Sequence, residues 1–98
     1  MLDLAKVNQI AREAAIANLT QKRVTNILSE PAIDSEGHEA LRITIVIPPG
    51  VAPRLKGDAI LNTLAQIQDR LRAAGEERFP IVEYATQEEL DSIGDSES

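Results

Sequence analysis

Seven residues in mid-chain, Leu41-Arg42-Ile43-Thr44-Ile45-Val46-Ile47, restrict what this chain can fold into more than any other stretch. The odd positions are Leu, Ile, Ile and Ile; the even ones are Arg, Thr and Val. Successive strand residues point to opposite faces, so the run sets four branched aliphatics on one face. β-branching favours the pleated backbone, and Pro48-Pro49-Gly50 ends the strand at once. That aliphatic face requires cover, which a chain of 98 residues must supply from its flanks.

Residues 3–19 predict a helix capped by Asp3, with Leu4, Val7, Ile10, Ala11, Ala14 and Ala17 on one side. Ile16 and Leu19 fall off that stripe, which predicts a helix that loosens near Asn18 and tucks both side chains back. A less regular first strand spans Val24 to Ser29, with Pro31 marking an edge or a frayed end. Asp34-Ser35-Glu36-Gly37-His38 is a turn by composition, and Gly37 supplies a positive φ, so the two strands form a hairpin. Three prolines between Pro48 and Pro53 hold off helix until Gly57. Asp58 then caps a second helix to about Ala74, with Ile60, Leu61, Leu64, Ile67, Leu71 and Ala74 as its apolar stripe and Gly75 just beyond its end.

Glu76-Glu77-Arg78 forms a solvated, charged connection to a third strand, Phe79–Ala85. Thr86-Gln87-Glu88-Glu89 is a capping box that opens a short helix to about Ile93. Gly94–Ser98 has nothing to bury and is expected to lack order. These elements predict an α+β, α-β-β-α-β(-α) two-layer fold, with a three-stranded mixed sheet and two helices on one face. The hairpin is antiparallel, and the strand–helix–strand crossover makes the third strand parallel to the second. Residues 1–87 form the single α+β domain, and 88–98 the short helix and an acidic disordered tail. Leu41, Ile43, Ile45 and Ile47 face the helices, joined by Val82 and Tyr84. The other face carries Arg42, Thr44 and Val46, with Ile27, Ile81 and Glu83.

Composition narrows the chemistry. Aromatics are 2% of the chain, so the core is aliphatic. The absence of cysteine excludes disulfides, thiolate metal sites and a cysteine nucleophile, and it suits a cytoplasmic protein. No run approaches the ~20 apolar residues of a membrane span, and the interrupted N-terminus does not read as a signal peptide. Net charge is −6, yet Glu88, Glu89, Asp91, Asp95 and Glu97 stand in a final stretch without bases, leaving 11 acids against 10 bases elsewhere. His38 is the single imidazole, in a turn beside Glu36 and Glu39, which is too few ligands for a metal. No nucleophile elbow G-x-S-x-G is present. Gly50 and Gly57 fit no phosphate loop, and the adjacent carboxylates Glu76/Glu77 and Glu88/Glu89 diverge. The residues thus predict no enzyme and no cofactor.

The helix–hairpin–helix–strand order resembles that of type II KH domains and of BolA-like proteins. That resemblance implies a nucleic-acid-binding or regulatory domain with Arg54 and Lys56 contacting phosphate. The G-x-x-G loop of KH domains is absent, and the place of the BolA-like basic, histidine-containing stretch holds Arg54 and Lys56 but no histidine. Two aromatics do not make a stacking platform for single strands. The leading expectation is a non-enzymatic interaction or adaptor domain. It binds a protein partner, or itself as a homo-oligomer, through the open sheet face or the 48–57 loop. Its binding residues are Arg42, Val46, Arg54, Lys56, Ile81 and Glu83. Aspartate at Val46 or Ile81 is expected to break the complex without unfolding the domain.

Overall fold

The computed structural model describes residues 1–95, and the element order and sheet are those the sequence predicts. Helix α1 is Leu4–Leu19; Asp3 Oδ1 caps it by accepting from the Lys6 N–H at 2.8 Å. Its buried side is Val7, Ile10, Ala11, Ala14, Ala15 and Leu19, and Ala17 is exposed. The helix does not loosen at Asn18. The helical stripe drifts around the axis instead, so Leu19 is buried and Ile16 half-buried against the same core. Asn18 Nδ2 donates to the Ala14 carbonyl and to Gln66 Oε1, tying α1 to the second helix.

Strand β1 is Asn26–Ile33, longer than the sequence predicts, and pairs antiparallel with β2, Glu39–Val46. Gly37 N–H donates to the Asp34 carbonyl (3.1 Å), Asp34 N–H donates to the His38 carbonyl (2.9 Å), and Gly37 has φ 85°. This is a three-residue hairpin loop closed by a glycine bulge. Because Asp34 bonds toward β2, the even residues of β1 do so too, and Pro31 turns its missing N–H to the free edge. The proline therefore costs no ladder bond, which is why β1 runs through it. The register pairs Ile27 with Ile45, so Ile27 is a core residue and not, as its sequence position predicts, part of the outer face.

The 3-10 turn Ala52–Arg54 leads to α2, Gly57–Ala73. Lys56, not Asp58, is its N-cap residue; Asp58 sits in the first turn. The buried positions are Thr63, Ile67 and Leu71, so the stripe is rotated from the predicted one and Leu61 stands 66% exposed. Thr63 is tolerated inside because its hydroxyl donates to the Ala59 carbonyl at 2.8 Å. The helix ends in a Schellman motif: Gly75 (φ 91°) donates to the Arg72 carbonyl and Glu76 N–H to that of Leu71.

Strand β3, Phe79–Ala85, runs parallel to β2, giving the order β1-β2-β3. Val82 and Tyr84 pack inward against Ile43, Ile45 and their neighbours, as predicted. Ile47 N–H donates to the Ala85 carbonyl (2.9 Å), so the odd residues of β3 bond to β2 and Pro80 faces the other free edge. Helix α3, Gln87–Asp95, follows the capping box, in which Glu89 Oε1 accepts from Thr86 N–H and Glu89 N–H donates to Thr86 Oγ1. It takes in Gly94 and Asp95, beyond the expected end; residues 96–98 of the predicted unstructured tail lie outside the described residues.

The core is thus a one-sided aliphatic layer under α1 and α2, centred on Leu41, Ile43, Ile45 and Ile47. Ile43→Ala removes a fully buried branched side chain from the middle strand and is expected to cost about 2–5 kcal/mol. Leu61→Ala, at a position that the sequence pattern also assigns to the core, is expected to change stability by less than about 0.5 kcal/mol. Urea unfolding of the two variants measures both.

Candidate interaction face

The pairing register sets the outer face of the sheet in rows across β1, β2 and β3. Leu28, Thr44 and Glu83 form one row, Glu30, Arg42 and Ile81 the next, and Ala32, Ala40 and Phe79 the last, toward the hairpin. Arg42 lies 3.3 Å from Glu30, an exposed cross-strand ion pair worth little to stability. Thr44 Oγ1 donates to Glu83 Oε1 at 3.0 Å. Of the predicted binding residues, the face therefore brings together Arg42, Ile81 and Glu83.

Val46 does not belong with them. It lies on the outer side of β2 but is fully buried, and Thr44 beside it is nearly so. Helix α3 turns back toward this end of the face. Leu90 closes a groove of about 270 Å³ whose other walls come from Leu28, Ser29, Glu30, Arg42, Thr44 and Glu83. A charge at Val46 would unfold the sheet before it tested any partner. The reverse of the sheet is consequently open only from Leu28 toward the hairpin, where Leu28 is 43% and Phe79 59% exposed.

Arg54 and Lys56 are exposed in the loop after β2 and line no part of the groove. That loop is not a free arm: Val51 and Leu55 pack against the core on either side of Arg54. His38, also exposed, lies 3.4 Å from Asp34 and 3.6 Å from Glu36. Among the described residues no group of three His, Asp or Glu side chains is placed to hold a metal ion. No helix among them is long and apolar enough to cross a membrane.

The connection expected to be solvated holds the most buried charge among the described residues. The Glu76 side chain is 1% exposed and that of Arg78 8%. Glu76 follows the Schellman turn, and the chain bends at Arg78, whose own N–H donates to Glu76 Oε2 at 2.9 Å, so the two side chains meet on one side. Their contact is bidentate, Nη2 to Oε1 at 2.8 Å and Nε to Oε2 at 3.0 Å. The pair also holds one residue of the N-terminus by both its polar groups: Leu2 N–H donates to Glu76 Oε1 and Arg78 Nη2 donates to the Leu2 carbonyl, each at 2.9 Å. The Arg78 side chain leads the influences that hold the Glu76 carboxyl down at about 2, and the backbone N–H groups of Arg78 and Leu2 assist. Both oxygens of Glu76 and the Nε and Nη2 groups of Arg78 are thus engaged within the fold, which makes the pair a structural clamp.

The hydroxyl of Tyr84 is buried without a hydrogen-bond partner among the described residues, and burial raises its pKa. Thr63 stands near enough to hold that shift back in part, but not in hydrogen-bonding geometry. No protein-family model, curated protein or solved structure matches the chain.

Glu76 has a lowered folded-state pKa, so its contribution to stability is whole above its ordinary value of 4.5 and is lost as pH falls toward about 2. Arg78→Met leaves that carboxylate buried and unpaired and is expected to cost about 3–5 kcal/mol at neutral pH. The deficit relative to the parent protein should shrink as acid protonates Glu76 in the variant. Denaturant melts of both proteins from neutral pH down to about pH 3 check the sign.

Proposed function

We propose that this protein is a non-enzymatic interaction domain whose contact surface is the uncovered part of the outer sheet face, from the groove at Leu28 to Phe79. The observation that carries the reading is the contrast between edges and face. Pro31 and Pro80 each turn a position without an N–H to a free edge, which blunts both edge strands against strand addition. The face between them keeps large apolar side chains in water, with a groove beside them.

At about 270 Å³ the groove lies at the small end of the ~300–1,000 Å³ range of cavities that enclose small molecules, a size that also suits a side chain of a docked protein. The charged pair Glu30–Arg42 crosses the face and gives it a polar rim, as protein contact surfaces have. The alternative of phosphate contact through Arg54 and Lys56 has two exposed cations on an anchored loop in its favour. The α2 N-terminus next to them already carries Asp58.

The test is capture of partners from native lysate with the full chain as bait, repeated with Leu28→Asn and Phe79→Asn. Both side chains are exposed and the replacement adds no charge, so the fold is expected to persist, as circular dichroism would verify. Proteins retained by the parent chain should be lost, at least tenfold, from both variants. Retention unchanged by both would remove the outer face as the contact surface.

A further inference from the structure

Helix α3 is held differently from the rest of the fold. The long helices α1 and α2 each bury several side chains, and Asn18 joins them to one another. Of residues 87–92 only Leu90 is even half-buried, and the others are exposed. Their side-chain hydrogen bonds close on the helix and its own cap: Glu89 bonds with Thr86, and Gln87 Nε2 donates to Asp91 Oδ1 at 3.1 Å. Among the described residues no hydrogen bond or ion pair ties 87–92 to the sheet or to the long helices. The tie is Leu90, which lines the groove with Leu28 and Thr44. The strand before the helix is firm to its end, because the Ala85 carbonyl accepts from the Ile47 N–H. A change from well-held to lightly held chain therefore falls at Thr86.

We propose that α3 is a detachable strap on the outer sheet face. It lifts away about Thr86 while the sheet, α1 and α2 stay folded. Lifting withdraws Leu90 from the groove and uncovers Thr44, which is 6% exposed with the strap in place. The physical reason is a difference in what each element loses. Unfolding the sheet forfeits the whole aliphatic layer beneath α1 and α2, whereas opening α3 forfeits its cap and one partial side-chain burial. A nine-residue helix is marginal in water, so little of α3 persists once Leu90 leaves the groove. Openings of such lightly held segments are populated under native conditions. The strap thus sets how much of the outer face is exposed. That this governs partner binding rests on the reading of the face as a contact surface; the opening itself does not.

Amide hydrogen exchange in the isotope-labelled full chain measures the opening without any substitution. The N–H groups of Leu90, Asp91 and Ser92 are expected to be at least about a hundredfold less protected than those of Ile43, Ile45 and Leu71, with no dependence on low urea. Ile43→Val weakens the core and should speed core exchange about two- to tenfold while leaving that of α3 unchanged. A second readout follows the face itself. The chain has no cysteine, so Thr44→Cys places a single thiol in the groove, and its reaction with a small thiol reagent reports the uncovering. Adding Thr86→Ala removes the cap but leaves the groove walls intact. It should speed α3 exchange and thiol labelling by one common factor, about two- to thirtyfold, and Ile43→Val should not alter the labelling.

Exchange at Leu90, Asp91 and Ser92 as slow as in the core, or sped in step with it by Ile43→Val, would overturn the strap, because α3 would then open only with the whole domain. Fast exchange in α3 combined with thiol labelling indifferent to Thr86→Ala would overturn it as well, because the helix would open without uncovering the face. Neither result bears on the contact-face reading, which is decided by partner capture with Leu28→Asn and Phe79→Asn.

Discussion

The rest of the molecule depends on a strand that is dry on both sides. In β2, Leu41, Ile43 and Ile45 are buried beneath α1 and α2, and Ala40, Thr44 and Val46 are buried on the reverse. A central strand buried on two faces requires two kinds of cover. The long amphipathic helices supply one, at roughly 1.5–3 kcal/mol for each large aliphatic side chain they shelter. The neighbouring strands supply the other, joined by Leu90 of α3 near Thr44. Between the buried Ala40 and Thr44, Arg42 reaches water and pairs with Glu30. The open surface of the protein is what remains once the middle strand is satisfied.

The Glu76–Arg78 pair solves a different problem. The N-terminus must be brought to the junction of α2 and β3, 74 residues away along the chain, before α1 can lie across the sheet. Apolar contacts alone allow such a segment to slide. A clamp that accepts from the Leu2 N–H and donates to the Leu2 carbonyl allows only one position. Desolvating two charges offsets much of what they gain from each other, so the pair contributes registry of the N-terminus more than net stability.

Much of this architecture was legible in the sequence. The alternation of residues 41–47, Gly37 and Gly75 at left-handed positions, the bounds of β3 and the Thr86–Glu89 box are local signals with local causes, and the structure follows them. What was not legible depends on partners distant in the chain. Ile27 lies inward because the glycine-bulged turn sets the register with Ile45, a one-residue matter that the weakly alternating first strand leaves open. Leu61 fits a helical stripe as well as Thr63 does until the rotation of α2 on the sheet is known. Val46 shares a face with Arg42 by alternation, yet which part of that face is covered depends on where α3 returns. Glu76 carried a readable hint: it lies two residues before Arg78 on a chain leaving a glycine C-cap, close enough for opposite charges to meet when the chain bends between them.

Helix α3 makes the outer face more than leftover surface. Nine residues do not hold a helix in water unaided. The reciprocal Thr86–Glu89 bonds start it, its early acids suit the positive end of its dipole, and Leu90 ties it to the sheet. The residues that start the helix therefore also decide whether Leu90 reaches the groove, so losing the capping box would loosen the helix and open the groove together.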